Sequence, residues 1–144
     1  MKRVLFVCTG NICRSPTAEG VLRRRAADRG LDKQLEIASA GLGDWHVGAP
    51  PDERSQEHAR RRGYDLSAQR ARHFKHRDFE HYDHVIAMDA GHHAQLLERC
   101  PPAQRHKLRL AADYAAVIPG DGVPDPYYGT ARDFEQVLDM VEAL

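Results

Sequence analysis

The 144-residue chain is 42% hydrophobic and carries 21 basic and 21 acidic residues, a length and apolar share that suit one compact domain, 1–144, with a sizeable core. The cancelled charge calls for neither nucleic acid nor an anionic membrane as partner. No apolar run reaches the about 18 residues of a membrane span, the apolar start is only strand-length, and three cysteines fit a reducing compartment, so a cytoplasmic protein is expected.

Val4 to Val7 is a continuous apolar run of strand length, as expected of a central parallel strand covered on both faces. Cys8-Thr9-Gly10-Asn11-Ile12-Cys13-Arg14 follows as a C-x5-R loop, in which Gly10 and Asn11 are suited to unusual backbone angles that turn successive N–H groups inward. Ser15 suits a helix cap and Pro16 the first helical position, where its missing N–H has no partner to lose. Such a ring of N–H groups binds anions, and a guanidinium at its rim forks two hydrogen bonds onto phosphate. The loop residues Thr9, Gly10, Asn11, Ile12, Cys13 and Ser15 are therefore candidate substrate-binding positions, with Arg14 as the rim. The same positive surroundings favour a thiolate at Cys8, a nucleophile aimed at phosphorus, with the Ser15 hydroxyl near enough in sequence to steady the sulfur. Taken alone, a cysteine at a strand end is more often a packing residue.

Ala18, Val21, Leu22 and Ala26 recur at helical spacing up to Gly30. Gln34 to Ala40 alternates like a strand, broken by Gly41-Leu42-Gly43, which makes a right-handed βαβ unit the economical reading. A loop from Asp44 to Asp52 leads into a helix ending at about Arg62. Trp45, the sole tryptophan, sits in this loop, where a buried anchor and a pocket wall are both open. Tyr64 to Phe79 is polar and irregular, with a short helix at His76–Phe79. His84 to Met88 forms a third strand. Asp89 leads into a helix with Leu96 and Leu97, stopped by Pro101-Pro102, and Lys107 to Ala111 gives a weaker fourth strand. Strands separated by helices argue a four-stranded parallel sheet in a three-layer α/β sandwich, with ligands beyond the carboxyl ends of the strands, where Cys8 lies. Arg23-Arg24-Arg25 and Arg60-Arg61-Arg62 read as solvated helix faces. The nine histidines lack His-Glu-x-x-His or paired Cys-x-x-Cys spacing, so they are expected to be exposed and no metal site is expected.

Gly120 to Gly129 is a turn-rich loop that supplies the missing acid. A phosphate ester needs its leaving oxygen protonated, and Asp125, stiffened between Pro124 and Pro126, is the candidate. Asp121 reads as an exposed turn aspartate. From the plausible cap Thr130, Phe134, Val137, Leu138, Val141 and Leu144 share one face of a last helix.

Cys-Thr-Gly-Asn-Ile-Cys-Arg-Ser-Pro after a hydrophobic strand, with Trp-His-Val-Gly and Asp-Pro-Tyr-Tyr further on, resembles the low-molecular-weight protein tyrosine phosphatase family of bacterial type over nearly the whole chain. The resemblance implies a flavodoxin-like fold and phosphotyrosine hydrolysis through a cysteinyl-phosphate, without a cofactor. In its terms Cys8 is the nucleophile, Arg14 the phosphate ligand and Asp125 the general acid and then base. It further implies Trp45, Tyr127 and Tyr128 at the cleft, the two tyrosines also as phosphorylation sites, and Cys13 as a thiol that traps an oxidised Cys8. Relatives carry a histidine that holds the loop asparagine. Gln69 occupies the matched position here, which leaves open whether it holds Asn11 in the histidine's stead. Relatives also continue for several residues past the position of Leu144. The expected partner is a phosphotyrosine protein, bacterial tyrosine kinases included, and an arginine-rich polar surface favours a monomer. Ile12 leans away from the protein-arginine phosphatases, which carry threonine there. Thiol-dependent arsenate reductases need a further cysteine pair, and only Cys100 remains. A non-catalytic phosphoprotein-binding module would not need Cys8, Arg14 and Asp125 together.

Overall fold

The computed structural model describes residues 1–115, 118–120 and 122–143, so the expectations for Asp121 and Leu144 lie outside the described residues. Strand β1 (Lys2–Cys8) runs parallel between β2 (Leu35–Gly41) and β3 (His84–Ala87), and β4 (Leu108–Leu110) pairs with β3, giving the order β2-β1-β3-β4. Successive β1 side chains point to opposite faces. Val4, Phe6 and Cys8 join one apolar cluster, and Leu5 and Val7 the other. The first cluster is closed by helices α1 (Arg14–Asp28), α2 (Glu53–Arg61) and α5 (Ala131–Glu142). The second is closed by α3 (Asp78–His81) and α4 (Ala90–Arg99). Both faces are covered, which is why β1 reads as an unbroken apolar run.

The boundaries differ from expectation by a residue or two, and at the start of α1 the difference bears on the site. Helix α1 begins at Arg14, and Ser15 is not its cap. The Cys13 carbonyl accepts the Thr17 N–H at 3.2 Å and the Thr17 hydroxyl at 2.6 Å, which starts the helical ladder two residues early. Pro16 then occupies the third helical position, still within the turn whose N–H groups need no partner. The short helix expected at His76–Phe79 forms at Asp78–His81. Helix α2 is capped by Asp52, whose carboxylate accepts the Arg54 N–H at 2.8 Å, and α5 presents Phe134, Val137, Leu138 and Val141 to the core as expected.

The arginine clusters are more than solvated faces. Arg25 donates to the Glu142 carbonyl, and Arg62 pairs with Glu135, Asp139 and Glu142, so both clusters fasten α5 to its neighbours. Nor are the histidines all exposed. His58 is buried in α2 beside Glu135 and stacks on Phe134, and His92 is 3% exposed.

Candidate active site

The loop Cys8 to Arg14 leaves the carboxyl end of β1 and enters α1 directly, so one turn of chain sets both Cys8 and Arg14. Asn11 takes the left-handed conformation alone (φ 58°). Gly10 needs no positive φ; its missing side chain makes room for the His46 ring, whose Cδ2 lies 2.9 Å from where a Cβ would sit. A Cβ on Gly41, at the end of β2, would fall 2.9 Å from the Thr9 carbonyl oxygen, which explains how β2 passes so close to the loop.

Asn11 is the loop's internal strut. Its carboxamide nitrogen donates to the hydroxyls of Ser15 (2.8 Å) and Ser39 (2.9 Å), and its oxygen accepts the main-chain N–H of Arg72 (3.0 Å). Gln69 does not hold Asn11: its amide donates to the Pro16 carbonyl at 3.0 Å. The main-chain N–H of Arg72 supplies the support instead, and a backbone donor is invisible to side-chain matching. With the Ser15 oxygen already accepting from Asn11, its hydroxyl proton is free to point at Cys8 Sγ, 2.9 Å away. The Asn11 N–H also donates to that sulfur, at 3.3 Å. Both groups can donate to the sulfur, one from a hydroxyl and one from the main chain.

Arg14 is 4% exposed and held from behind. Its Nη1 donates to Asp89 Oδ2 (2.7 Å) and to the Val123 carbonyl (3.0 Å). Burial opposes the Asp89 charge, but the His92 amide and the Arg14 guanidinium outweigh it and hold this carboxyl below the usual range. The segment that carries Asp125 is pinned to the end of β3, where the Val123 N–H donates to the Met88 carbonyl at 2.8 Å. That anchor brings Asp125 Oδ2 to 3.8 Å from Arg14 Nη2, with its side chain half exposed and its Oδ1 accepting the Tyr127 N–H at 3.1 Å. Pro126 is fully buried and fixes the segment between acid and tyrosines.

These groups surround a cleft of about 410 Å³. Cys8, Thr9, Gly10, Ile12, Cys13 and Arg14 form its floor, and Trp45, His46, Asp125, Tyr127 and Tyr128 its walls. Asn11 and Ser15 sit beneath the loop rather than in the cleft, at 2% and 0% exposure. Trp45 is 67% exposed, which removes the buried-anchor alternative. Tyr128 is still more open at 95%, its ring edge-on to Tyr127 at 4.8 Å. Arg54 braces this wall, donating to the Tyr127 carbonyl at 2.9 Å while paired with Asp52. Burial pushes the Cys13 thiol up to about 12 against the opposing hydrogen bond from Ser55. Cys100 is 4% exposed just past the far end of α4, roughly 16 Å along the helix axis from Asp89, and so out of reach of the loop.

Sequence reasoning missed Asp89, His92, His46, Ser39 and Arg54. Asp89 carried a legible signal, since it stands at the carboxyl end of a central strand, where sites in such sheets gather. The others reach the site only through folding.

A sequence model of the family described as "Low molecular weight phosphotyrosine protein phosphatase" matches residues 3–144. The chain belongs to this family. Among its relatives is a low molecular weight protein-tyrosine-phosphatase of Streptomyces coelicolor, 49% identical over 145 residues and covering 98% of this chain and 87% of that protein. YfkJ of Bacillus subtilis is 39% identical over 99% of this chain and 90% of its own length. The crystal structure of an Entamoeba histolytica protein tyrosine phosphatase with Hepes in the active site superposes with a TM-score of 0.94 at 36% identity, covering 99% of this chain and 90% of that one. This phosphatase is therefore a hydrolase of the dephosphorylating kind, with the flavodoxin-like sandwich the strand order already described. Among the described residues, no helix is long and apolar enough to cross a membrane.

Proposed function

We propose that residues 1–144 act as one phosphatase domain that hydrolyses phosphotyrosine in two steps. Cys8 attacks phosphorus, the bond to the tyrosine oxygen breaks, and Asp125 gives that oxygen its proton. Water then attacks the cysteinyl-phosphate, Asp125 takes a proton from it, and phosphate leaves as the thiolate returns. The observation that carries this reading is the inventory around Cys8 and Arg14. The sulfur has the Ser15 hydroxyl and the Asn11 N–H for neighbours, and Arg14 keeps its Nε–H and one Nη2–H free of hydrogen-bond partners among the described residues, with the Asp125 carboxylate 3.8 Å from Nη2. Those two N–H groups share one edge of the guanidinium and match two oxygens of a phosphate. The Asp125 side chain is half exposed, open to the cleft in which a phosphate ester would sit.

The exposed faces of Trp45 and Tyr128 support an aromatic, protein-borne substrate. The natural partner in this reading is a phosphotyrosine protein, a bacterial tyrosine kinase being the natural candidate, met by a monomer in the cytoplasm. Cys13 is proposed to trap an oxidised Cys8 as a disulfide, although its raised pKa makes it a slow thiol. Peroxide inactivation that stays fully reversible by thiols in Cys13→Ala would remove that role.

Initial rates on phosphotyrosine and phosphoarginine peptides of matched sequence test the main reading, with Cys8→Ser alongside. Preference for phosphotyrosine and a dead variant are expected. Preference for phosphoarginine would overturn the substrate, and turnover insensitive to Cys8→Ser would overturn the mechanism.

A further inference from the structure

His92 is buried at the first turn of α4, yet it touches the anion loop 83 residues away in sequence. Its Nε2 lies 2.7 Å from the Thr9 hydroxyl and 3.4 Å from Arg14 Nη2. A guanidinium N–H only donates, so the ring nitrogen facing it must carry a lone pair. That assigns the proton to Nδ1, which faces Asp89 Oδ1 at 3.1 Å without the alignment of a hydrogen bond. The opposite tautomer would turn a lone pair toward the Asp89 carboxylate and an N–H toward Arg14. With Nε2 as acceptor, the Thr9 hydroxyl donates to it, and both the loop and the guanidinium converge on one lone pair.

The Arg14 donors can then be counted. Asp89 and the Val123 carbonyl use both protons of Nη1, and His92 takes one of Nη2. Nε–H and the second Nη2–H remain, the pair on one edge. We propose that His92 is a positioning residue of this phosphatase: its neutral imidazole ties the Thr9 hydroxyl to the Arg14 guanidinium and so sets the plane in which Arg14 meets the phosphate. The imidazole touches no substrate atom. The charged groups facing it are Arg14 from α1, Asp89 from the end of β3 and Asp125 from the acid loop. Burial first and Arg14 second push it down to about 4 against the two carboxylates, consistent with an acceptor that stays neutral.

This proposal rests on Arg14 as the phosphate ligand, and its test separates the two. Competitive inhibition by inorganic phosphate and kcat on p-nitrophenyl phosphate are measured for His92→Phe, Thr9→Val, the double variant and Arg14→Lys, each with its thermal midpoint. His92→Phe should weaken phosphate inhibition about tenfold and lower kcat, the loss expected for one hydrogen bond to a charged group. His92→Gln, which restores an acceptor, should recover part of it. Thr9→Val should weaken inhibition less, and the double variant should be no worse than His92→Phe, because both cut the same link. Phosphate inhibition and kcat within twofold of wild type in His92→Phe would overturn the proposal, as would strictly additive losses. Should His92→Phe fail to fold, Thr9→Val with unchanged phosphate inhibition overturns it alone. Arg14→Lys, which keeps charge but loses the fork, should abolish phosphate inhibition; if it does not, the clamp reading fails and the His92 proposal with it.

Discussion

The carboxamide oxygen of Asn11 accepts the main-chain N–H of Arg72 at 3.0 Å, across 61 residues of sequence. Gln69, by contrast, is engaged with the Pro16 carbonyl. Gln69→Ala should therefore leave kcat within about twofold of wild type. Asn11→Ala should lower it by at least tenfold, since it loses the Ser15 and Ser39 hydrogen bonds and puts alanine at a positive φ, a conformation that costs roughly 1–2 kcal/mol. Steady-state kinetics of the two variants side by side decide the matter, and a larger loss in Gln69→Ala would contradict the assigned support.

Asp125→Asn should cost roughly 10²–10⁴ in kcat, the usual worth of a positioned acid. The loss should be smaller for p-nitrophenyl phosphate than for an alkyl phosphate, because a nitrophenolate leaves without a proton. Equal losses on both esters would mean that Asp125 acts by some route other than protonating the leaving oxygen.

Arg54 joins α2 to the cleft wall through Asp52 and the Tyr127 carbonyl, and its guanidinium lies 5.5 Å from the Tyr127 ring centroid and 4.7 Å from that of Phe134. Arg54→Ala should raise KM for phosphotyrosine peptides several-fold with little change in kcat, since Cys8, Arg14 and Asp125 do not depend on it. Arg54→Lys should not restore KM, because an ammonium lacks the planar fork and the stacking face. A fall in kcat with KM unmoved would count against a purely wall-building role.

The burial of His92 carries a stability consequence. Its pKa is pushed from 6.5 in the unfolded chain to about 4 in the fold. Between those values the unfolded chain binds a proton that the native state does not, so unfolding free energy rises with pH through that window. The contribution is fully present above about 6.5 and is lost as pH falls toward 4, a change of roughly 3 kcal/mol. Urea unfolding at pH 4.5 and pH 7 should show a smaller difference for His92→Gln than for wild type; identical differences would mean the ring is not desolvated in solution.

Local sequence settled the parts of this phosphatase whose physics is local. Val4 to Val7 must be covered on both faces, Cys8 to Arg14 must form a tight loop because strand, turn residues and helix start follow without a gap, and Pro-Asp-Pro stiffens the segment that carries Asp125. Even the error at Ser15 is local: the Cys13 carbonyl outcompeted a serine cap, and the hydroxyl was thereby released toward Cys8. Whatever depends on a partner far along the chain was decided by the tertiary structure. The parallel sheet brings the ends of β1, β2 and β3 side by side, and only that convergence lets Ser39 and Arg72 hold Asn11, Asp89 and His92 hold Arg14, and Val123 deliver Asp125. None of these pairings leaves a period or motif in the sequence, because each joins single polar groups on elements whose spacing is set by packing of the apolar residues between them.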